Sequence, residues 1–287
     1  MRSLWEGDNM GEGSFLSKML TIDRRILYWI LVVLIVIPII RPIGLPIPVS
    51  ETTRRLYDTL KNLPEGSVLV LDNSVGAIAW AEIGSALETV TKFIASKNFR
   101  VIIWSTTSPE CGSLTERYLL DIFKKAGKKY GEDYVLIGYV PGAVLALAAL
   151  ARDMRYPRKD FYGNDLDTLK IFEKVRTAND VAAVVLAESG AEGYAYVTQW
   201  YAQYRVTILD ICTGALVSER MIAYNAGQIK GMVAGARGSA EIELLTGYLG
   251  AGISSADALS ITHLYLIILV VIGNIAYLEE RKVRRGK

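Results

Sequence analysis

The sequence predicts an α/β fold: a five-stranded, mostly parallel, doubly wound sheet of Rossmann-like or flavodoxin-like type, flanked by an N-terminal and a C-terminal transmembrane helix. Two observations predict the sheet. Five short runs rich in Val, Ile and Leu occur between residues 67 and 212, with helical stretches between them. Uninterrupted apolar strands alternating with helices are what a parallel sheet covered on both faces produces, and right-handed crossovers then wind it doubly. A third observation predicts the anchors: an apolar run lies near each end of the 287-residue chain.

Residues 1–25 read as a cytoplasmic N-terminal segment. The run ILYWILVVLIVIPII at 26–40 has 15 apolar residues, against the roughly 20 that a span needs. Beyond Arg41 the stretch IGLPIPV extends it, and Arg41 can snorkel to the headgroups. A transmembrane helix is therefore expected over 26–45, retained as an anchor because no small-x-small cleavage site follows.

The α/β domain is expected over 50–219. A helix at 50–63 stops at Pro64-Glu65-Gly66 and leads into strand SVLVLD at 67–72. A helix at 76–97 precedes strand VIIWS at 101–105, and a charged helix at 113–130 precedes strand YVLIGYV at 134–140. An alanine-rich helix at 143–152, a polar loop at 155–164 and a helix at 167–175 lead to strand VAAVVLA at 181–187. A helix at 192–204 and strand VTILDIC at 206–212 close the sheet.

The segment 220–254 reads as a glycine-ridged helix and linker. Ala223, Gly227, Gly231, Gly235 and Ser239 recur every fourth residue. Each glycine costs a helix about 1 kcal/mol relative to alanine, so close approach of another backbone is expected as compensation. That backbone belongs either to the domain's own sheet or to a second copy of the chain. The second transmembrane helix is expected over 255–278, opened by a capping box at Ser254 and Asp257, with Tyr265 and Tyr277 near its two interfaces. Asn274 bonds either its own backbone or a neighbouring helix. Gly227, Gly231, Gly235 and Asn274 are thus the candidate interface of a homo-oligomer.

The flanks set the orientation. Lys18, Arg24 and Arg25 precede the first span, while the tail at 279–287 carries five basic residues against Glu279 and Glu280. Basic flanks stay inside. Both termini are expected in the cytoplasm and the central domain outside it, with the chain integral to the cytoplasmic membrane and the lipid bilayer as a partner.

Composition narrows the chemistry. A net charge of +2 supplies no basic field for nucleic acid. The single histidine, His263, lies in an apolar run and excludes a histidine triad or multi-histidine zinc site from the domain. Cys111 at a helix start lacks a histidine base, and its pairing with Cys212 is disfavoured by four expected strand spacings between strands two and five.

In an open parallel sheet, ligands bind beyond the carboxyl ends of the strands. Those ends carry Asp72, Ser74, Thr106, Gly142, Glu188 and Asp210, the candidate ligand-binding residues. Each is also ordinary turn and cap vocabulary. The stretch Asp72-x-Ser74-x-Gly76 resembles the start of the metal-dependent adhesion site of von Willebrand A domains, with Gly76 where the second hydroxyl stands. It is also similar to the DxDx motif of haloacid dehalogenase phosphatases, with Ser74 replacing the general acid. Val140-Pro141-Gly142, opening a helix, offers amides to an anion without a full glycine fingerprint.

Ala226-Gly227-Gln228, GARGSAEIELL at 235–245, DALSITH at 257–263 and Gly273-Asn274 resemble a group of uncharacterised prokaryotic membrane-anchored α/β proteins. The resemblance covers mainly the final quarter and implies an anchor, an α/β domain, a glycine-rich helix and a second anchor. It implies no catalytic residue. The expected function is a non-enzymatic, homo-oligomeric membrane scaffold. The alternatives are a ligand-binding or sensory domain and, third, a divalent-metal hydrolase built on Asp72 and Asp210. No cofactor is expected except Mg²⁺ in that last case.

Overall fold

The computed structural model describes residues 22–107 and 109–285; Lys18 and most of the expected 1–25 segment lie outside the described residues. The chain divides into an α/β domain, Gly44–Ala256, and a helical unit formed by the segments on either side of it. Element α1 (Arg24–Ile40) belongs to the helical unit. The domain holds α2 (Glu51–Asn62), β1 (Val68–Ser74), α3 (Ala77–Ala95), β2 (Arg100–Ser105), α4 (Glu110–Tyr118), α5 (Leu120–Lys125), β3 (Tyr134–Tyr139) and α6 (Val144–Arg152). It continues through β4 (Ala183–Glu188), α7 (Glu192–Tyr196), β5 (Thr207–Cys212), α8 (Val217–Asn225), β6 (Ile229–Ala234), α9 (Gly235–Thr246) and the first turns of α10 (Ala251–Arg285).

The sheet has six parallel strands, not five, in the order β3-β2-β1-β4-β5-β6. This is the Rossmann order, with the switch point between β1 and β4. Alternate strand residues feed two cores. Leu69 and Leu71 pack with Leu56 and Leu60 of α2, Ile83 of α3, Phe123 of α5 and Ile242 of α9. Val68 and Val70 pack with Leu147 and Leu150 of α6 and with Tyr196 and Trp200. Burial on both faces explains why the five inner-reading strands are continuously apolar.

The sixth strand corrects the reading of 220–254. No single ridged helix exists there: α8 ends, β6 pairs with β5, and α9 begins at Gly235. Gly227 (φ 72°) sits in the turn between α8 and β6, and Gly235 (φ 59°) turns the chain into α9. Gly231 lies within β6, where a Cβ would fall 2.2 Å from Leu56 N. The glycine does admit another backbone, and that backbone is α2 of the same chain. A spacing of four is in phase with a strand's period of two as well as near a helical turn, so it does not distinguish them.

Three expected helices also differ. The 113–130 stretch breaks at Leu119 into α4 and α5, the 192–204 stretch contains a π turn over Val197–Tyr201, and 167–175 forms two 3₁₀ turns, Leu166–Thr168 and Lys170–Glu173.

In the helical unit, α1 has 17 residues. At 1.5 Å per residue it is about 26 Å long, short of the ~30 Å hydrocarbon core. Residues 42–50 continue without helix, so the expected 26–45 span is not a single spanning helix. Ala251–Leu278 of α10 is long and apolar enough to cross a membrane, at 28 residues and mean hydropathy 2.1, with none of its most apolar window buried. The helix starts at Ala251, and Glu243 rather than a Ser254–Asp257 box caps it, accepting from Gly252 N at 2.7 Å and Ile253 N at 3.0 Å. Asp257 Oδ2 instead accepts from Ile43 N at 2.8 Å. Tyr265 donates to Leu27 O at 3.0 Å, tying α10 to α1. Asn274 donates to Val270 O of its own helix at 2.8 Å.

Candidate functional site

The strand order places the ends of β1 and β4 side by side, with Ser74 in register with Glu188. Asp72, Glu188 and Asp210 have the same parity as Val70, Leu186 and Ile208, so they project from the face that packs on α6 and α7. All three are fully buried. Sequence reasoning therefore assembled the right strand ends, but these carboxyls are internal and do not line an open crevice.

Two connected groups surround them, although both Asp210 carboxyl oxygens lack a hydrogen-bond partner among the described residues. In the first, Tyr196 donates to Asp72 Oδ2 at 2.7 Å, Ser74 donates to Asp72 Oδ1 at 2.6 Å, and Trp104 Nε1 donates to Tyr196 at 2.9 Å. Burial pushes Asp72 up to about 7, against the opposing hydrogen bonds from Ser74 and Tyr196. In the second, Arg220 Nε donates to Glu188 Oε1 at 2.5 Å and lies 3.6 Å from Asp210 Oδ2. Arg220 also reaches Gly190 O at 2.7 Å and Glu219 at 2.9 Å. Burial raises Glu188 to about 7 despite Arg220, and burial also raises Asp210 well above the usual carboxylate range, helped by the charge of Glu188. One guanidinium between two buried carboxyls favours retention of a proton on the pair near neutrality.

The other candidates separate from this cluster. Thr106, after β2, is buried, with its hydroxyl unpartnered among the described residues. Gly142 (φ 120°) and Ala143 (φ 47°) turn the chain sharply after β3, at the sheet edge two strands from β1. Cys111 and Cys212 are both buried and free of a disulfide, and β2 and β5 stand three strand spacings apart rather than four. Asp72 and Asp210 are each in register with Leu186, which separates their backbones by two strand spacings, about 9.6 Å. That distance does not suit two short carboxylates on one ion. Among the described residues no group of three or more His, Cys, Asp or Glu is arranged to hold a metal.

An open crevice lies on the other side of the strand ends. It has a volume of about 500 Å³ and is lined by Gly76, Glu82, Glu110, Ser189, Thr213 and Ala215. In folds of this order, helix N-termini at that edge present free amides to anions. Here a carboxylate already holds one amide at three of them. Glu110 Oε1 accepts from Ala77 N, the first residue of α3, at 3.3 Å. Glu82 Oε1 accepts from Gly214 N at 2.8 Å, and Glu188 Oε2 accepts from Gly193 N of α7 at 2.8 Å.

Sequence reasoning noted Glu110 among the polar residues after strand two and missed Glu82, Tyr196, Trp104 and Arg220. These four come from helices and a neighbouring strand, and only the topology brings them to the site. No protein-family model matches the chain, and no curated protein matches it.

Proposed function

We propose that the chain is a membrane-anchored binding domain whose crevice at the carboxyl edge of the sheet takes a small cationic ligand and not a phosphate anion. The observation that carries this reading is the occupation of the edge's helix amides by Glu110, Glu82 and Glu188. Glu82 and Glu110 leave a net negative crevice, and among the described residues no basic side chain lines it. An anion placed there would meet two carboxylates, whereas a cation would meet complementary charge.

The anchor in this proposal is α10, with α1 as a second, shorter membrane element extended by residues 41–47. The basic residues after Leu278 stay cytoplasmic by the positive-inside rule, which leaves the domain outside. Of the observations behind a homo-oligomeric scaffold, two have a partner within this chain: Gly231 packs on α2 and Asn274 bonds its own helix.

Thermal melting of the detergent-solubilised full chain with spermidine, Mg²⁺ and choline tests the reading. Saturating ligand near 100 Kd adds about 2.7 kcal/mol, a rise of several degrees for a domain of this size. The rise is expected to disappear in Glu82→Gln/Glu110→Gln. Absence of any shift, or a shift that the double substitution leaves intact, defeats the proposal.

A further inference from the structure

At the opposite, amino edge of the sheet, where α3 and α5 end, lies a groove of about 650 Å³. Lys92, Lys97, Lys125 and Lys128 line it with no acidic residue among the described residues, and Ile122 and Tyr248 supply apolar surface. A lysine in the last turn of a helix complements the helix dipole, and that accounts for Lys92 and Lys125. It does not account for Lys97 and Lys128, which lie beyond the helix ends and are half-buried.

Both side chains are held in place. Lys128 Nζ donates to Lys97 O at 2.6 Å, and Lys97 Nζ lies 5.5 Å from the centre of the Phe93 ring. Among the described residues, only Lys125 of the four has an ion-pair partner, exposed Asp121 at 2.7 Å. Glu88 acts on Lys92 by charge from one turn away. Four ammonium groups gathered in one groove, two of them half-buried without a carboxylate, repel one another until an anion neutralises them.

We infer that this groove binds a soluble, multiply charged phosphorylated small molecule with an apolar or aromatic body. Ammonium groups neutralise phosphate oxygens as point charges, and Tyr248 and Ile122 cover the uncharged part. The volume is that of a small-molecule site. The neutral disc in the experiment below separates a soluble ligand from a lipid headgroup as the source of the phosphate.

The test uses the full chain in nanodiscs of neutral phosphatidylcholine, titrated calorimetrically with pyrophosphate and with ATP at low and high salt. Both are expected to bind, ATP more tightly, and both to weaken roughly 10-fold at high salt. Lys97→Gln/Lys128→Gln is expected to weaken both at least ~10-fold with an unchanged melting curve. Tyr248→Ala, which keeps every lysine, weakens ATP and spares pyrophosphate. Lys230→Gln, an exposed lysine on the far edge strand β6, changes neither, which separates this groove from a general charge effect. The inference is overturned if neither anion binds, if the double substitution leaves binding intact, or if binding requires anionic phosphatidylglycerol in the disc.

Discussion

The two edges of one sheet carry opposite charge for different reasons. At the carboxyl edge, acidic side chains are consumed by the fold: Glu110 and Glu82 hold backbone amides, Glu188 holds both an amide and Arg220, and Asp72 is bonded by Ser74 and Tyr196. At the amino edge, lysines have backbone and ring contacts but almost no carboxylates. The difference teaches that a fold's generic ligand edge can be spent on its own side chains, leaving the less usual edge with unneutralised charge. Substitutions of the buried groups at the carboxyl edge should therefore chiefly change stability, and substitutions of the amino-edge lysines should chiefly change binding.

The largest expected effect is at Arg220. It is fully buried and is the cation facing both Glu188 and Asp210. Removing one partner of a buried ion pair typically costs about 3–5 kcal/mol, because the remaining charge is left uncompensated. Arg220→Met should lower stability by that order in denaturant melts of the full chain. Protonation of Glu188 and Asp210 at acid pH should recover part of the loss. A loss under ~1 kcal/mol, within the range of ordinary surface changes, would mean that the carboxyl edge is not internally paired, and the contrast between the edges would fail.

The next effect is a pH slope. Burial raises folded Asp72 from 3.8 to about 7. The unfolded chain therefore ionises this group first. Its contribution to stability is full below the unfolded value, falls as pH rises toward about 7, and changes no further above that. Within the window one such group lowers stability by about 1.4 kcal/mol per pH unit. Asp72→Asn keeps a neutral side chain of the same shape and should remove this slope relative to the parent. Parallel curves for the two proteins between pH 4 and 7 would show that Asp72 is ionised in the fold.

Legibility followed the number of buried faces. Strands β1 to β5 were readable because runs such as Val68–Leu71 and Ala183–Ala187 must be apolar on both sides. The edge strand β6 was not: Lys230 faces solvent, Gly231 carries no side chain, and its flanking small residues share a spacing that a helix would also allow. The ends Asp72, Ser74, Glu188 and Asp210 were readable from their places after apolar runs. Their partners were not, because Arg220 and Tyr196 reach the strand ends only once α8 and α7 are folded back on the sheet. The amino-edge lysines were hidden in the same way, since Lys92 and Lys97 follow one helix and Lys125 and Lys128 another.

The smallest expected effect sharpens the contrast most directly. Glu110 accepts from Ala77 N at the start of α3, a 19-residue helix. A carboxylate at a helix N-terminus contributes roughly 0.3–1 kcal/mol through the macrodipole, so Glu110→Gln should lower stability by only that much. The same change removes one negative charge from the crevice and weakens the claim on the Ala77 amide. Sulfate or phosphate should then raise the melting temperature of Glu110→Gln more than that of the parent, in a background carrying Lys97→Gln/Lys128→Gln so that the amino edge does not contribute. If the anion response of the two proteins is the same, the carboxylates are not what keeps anions from the carboxyl edge, and the steric shape of the crevice around Gly76 and Ser189 becomes the better explanation.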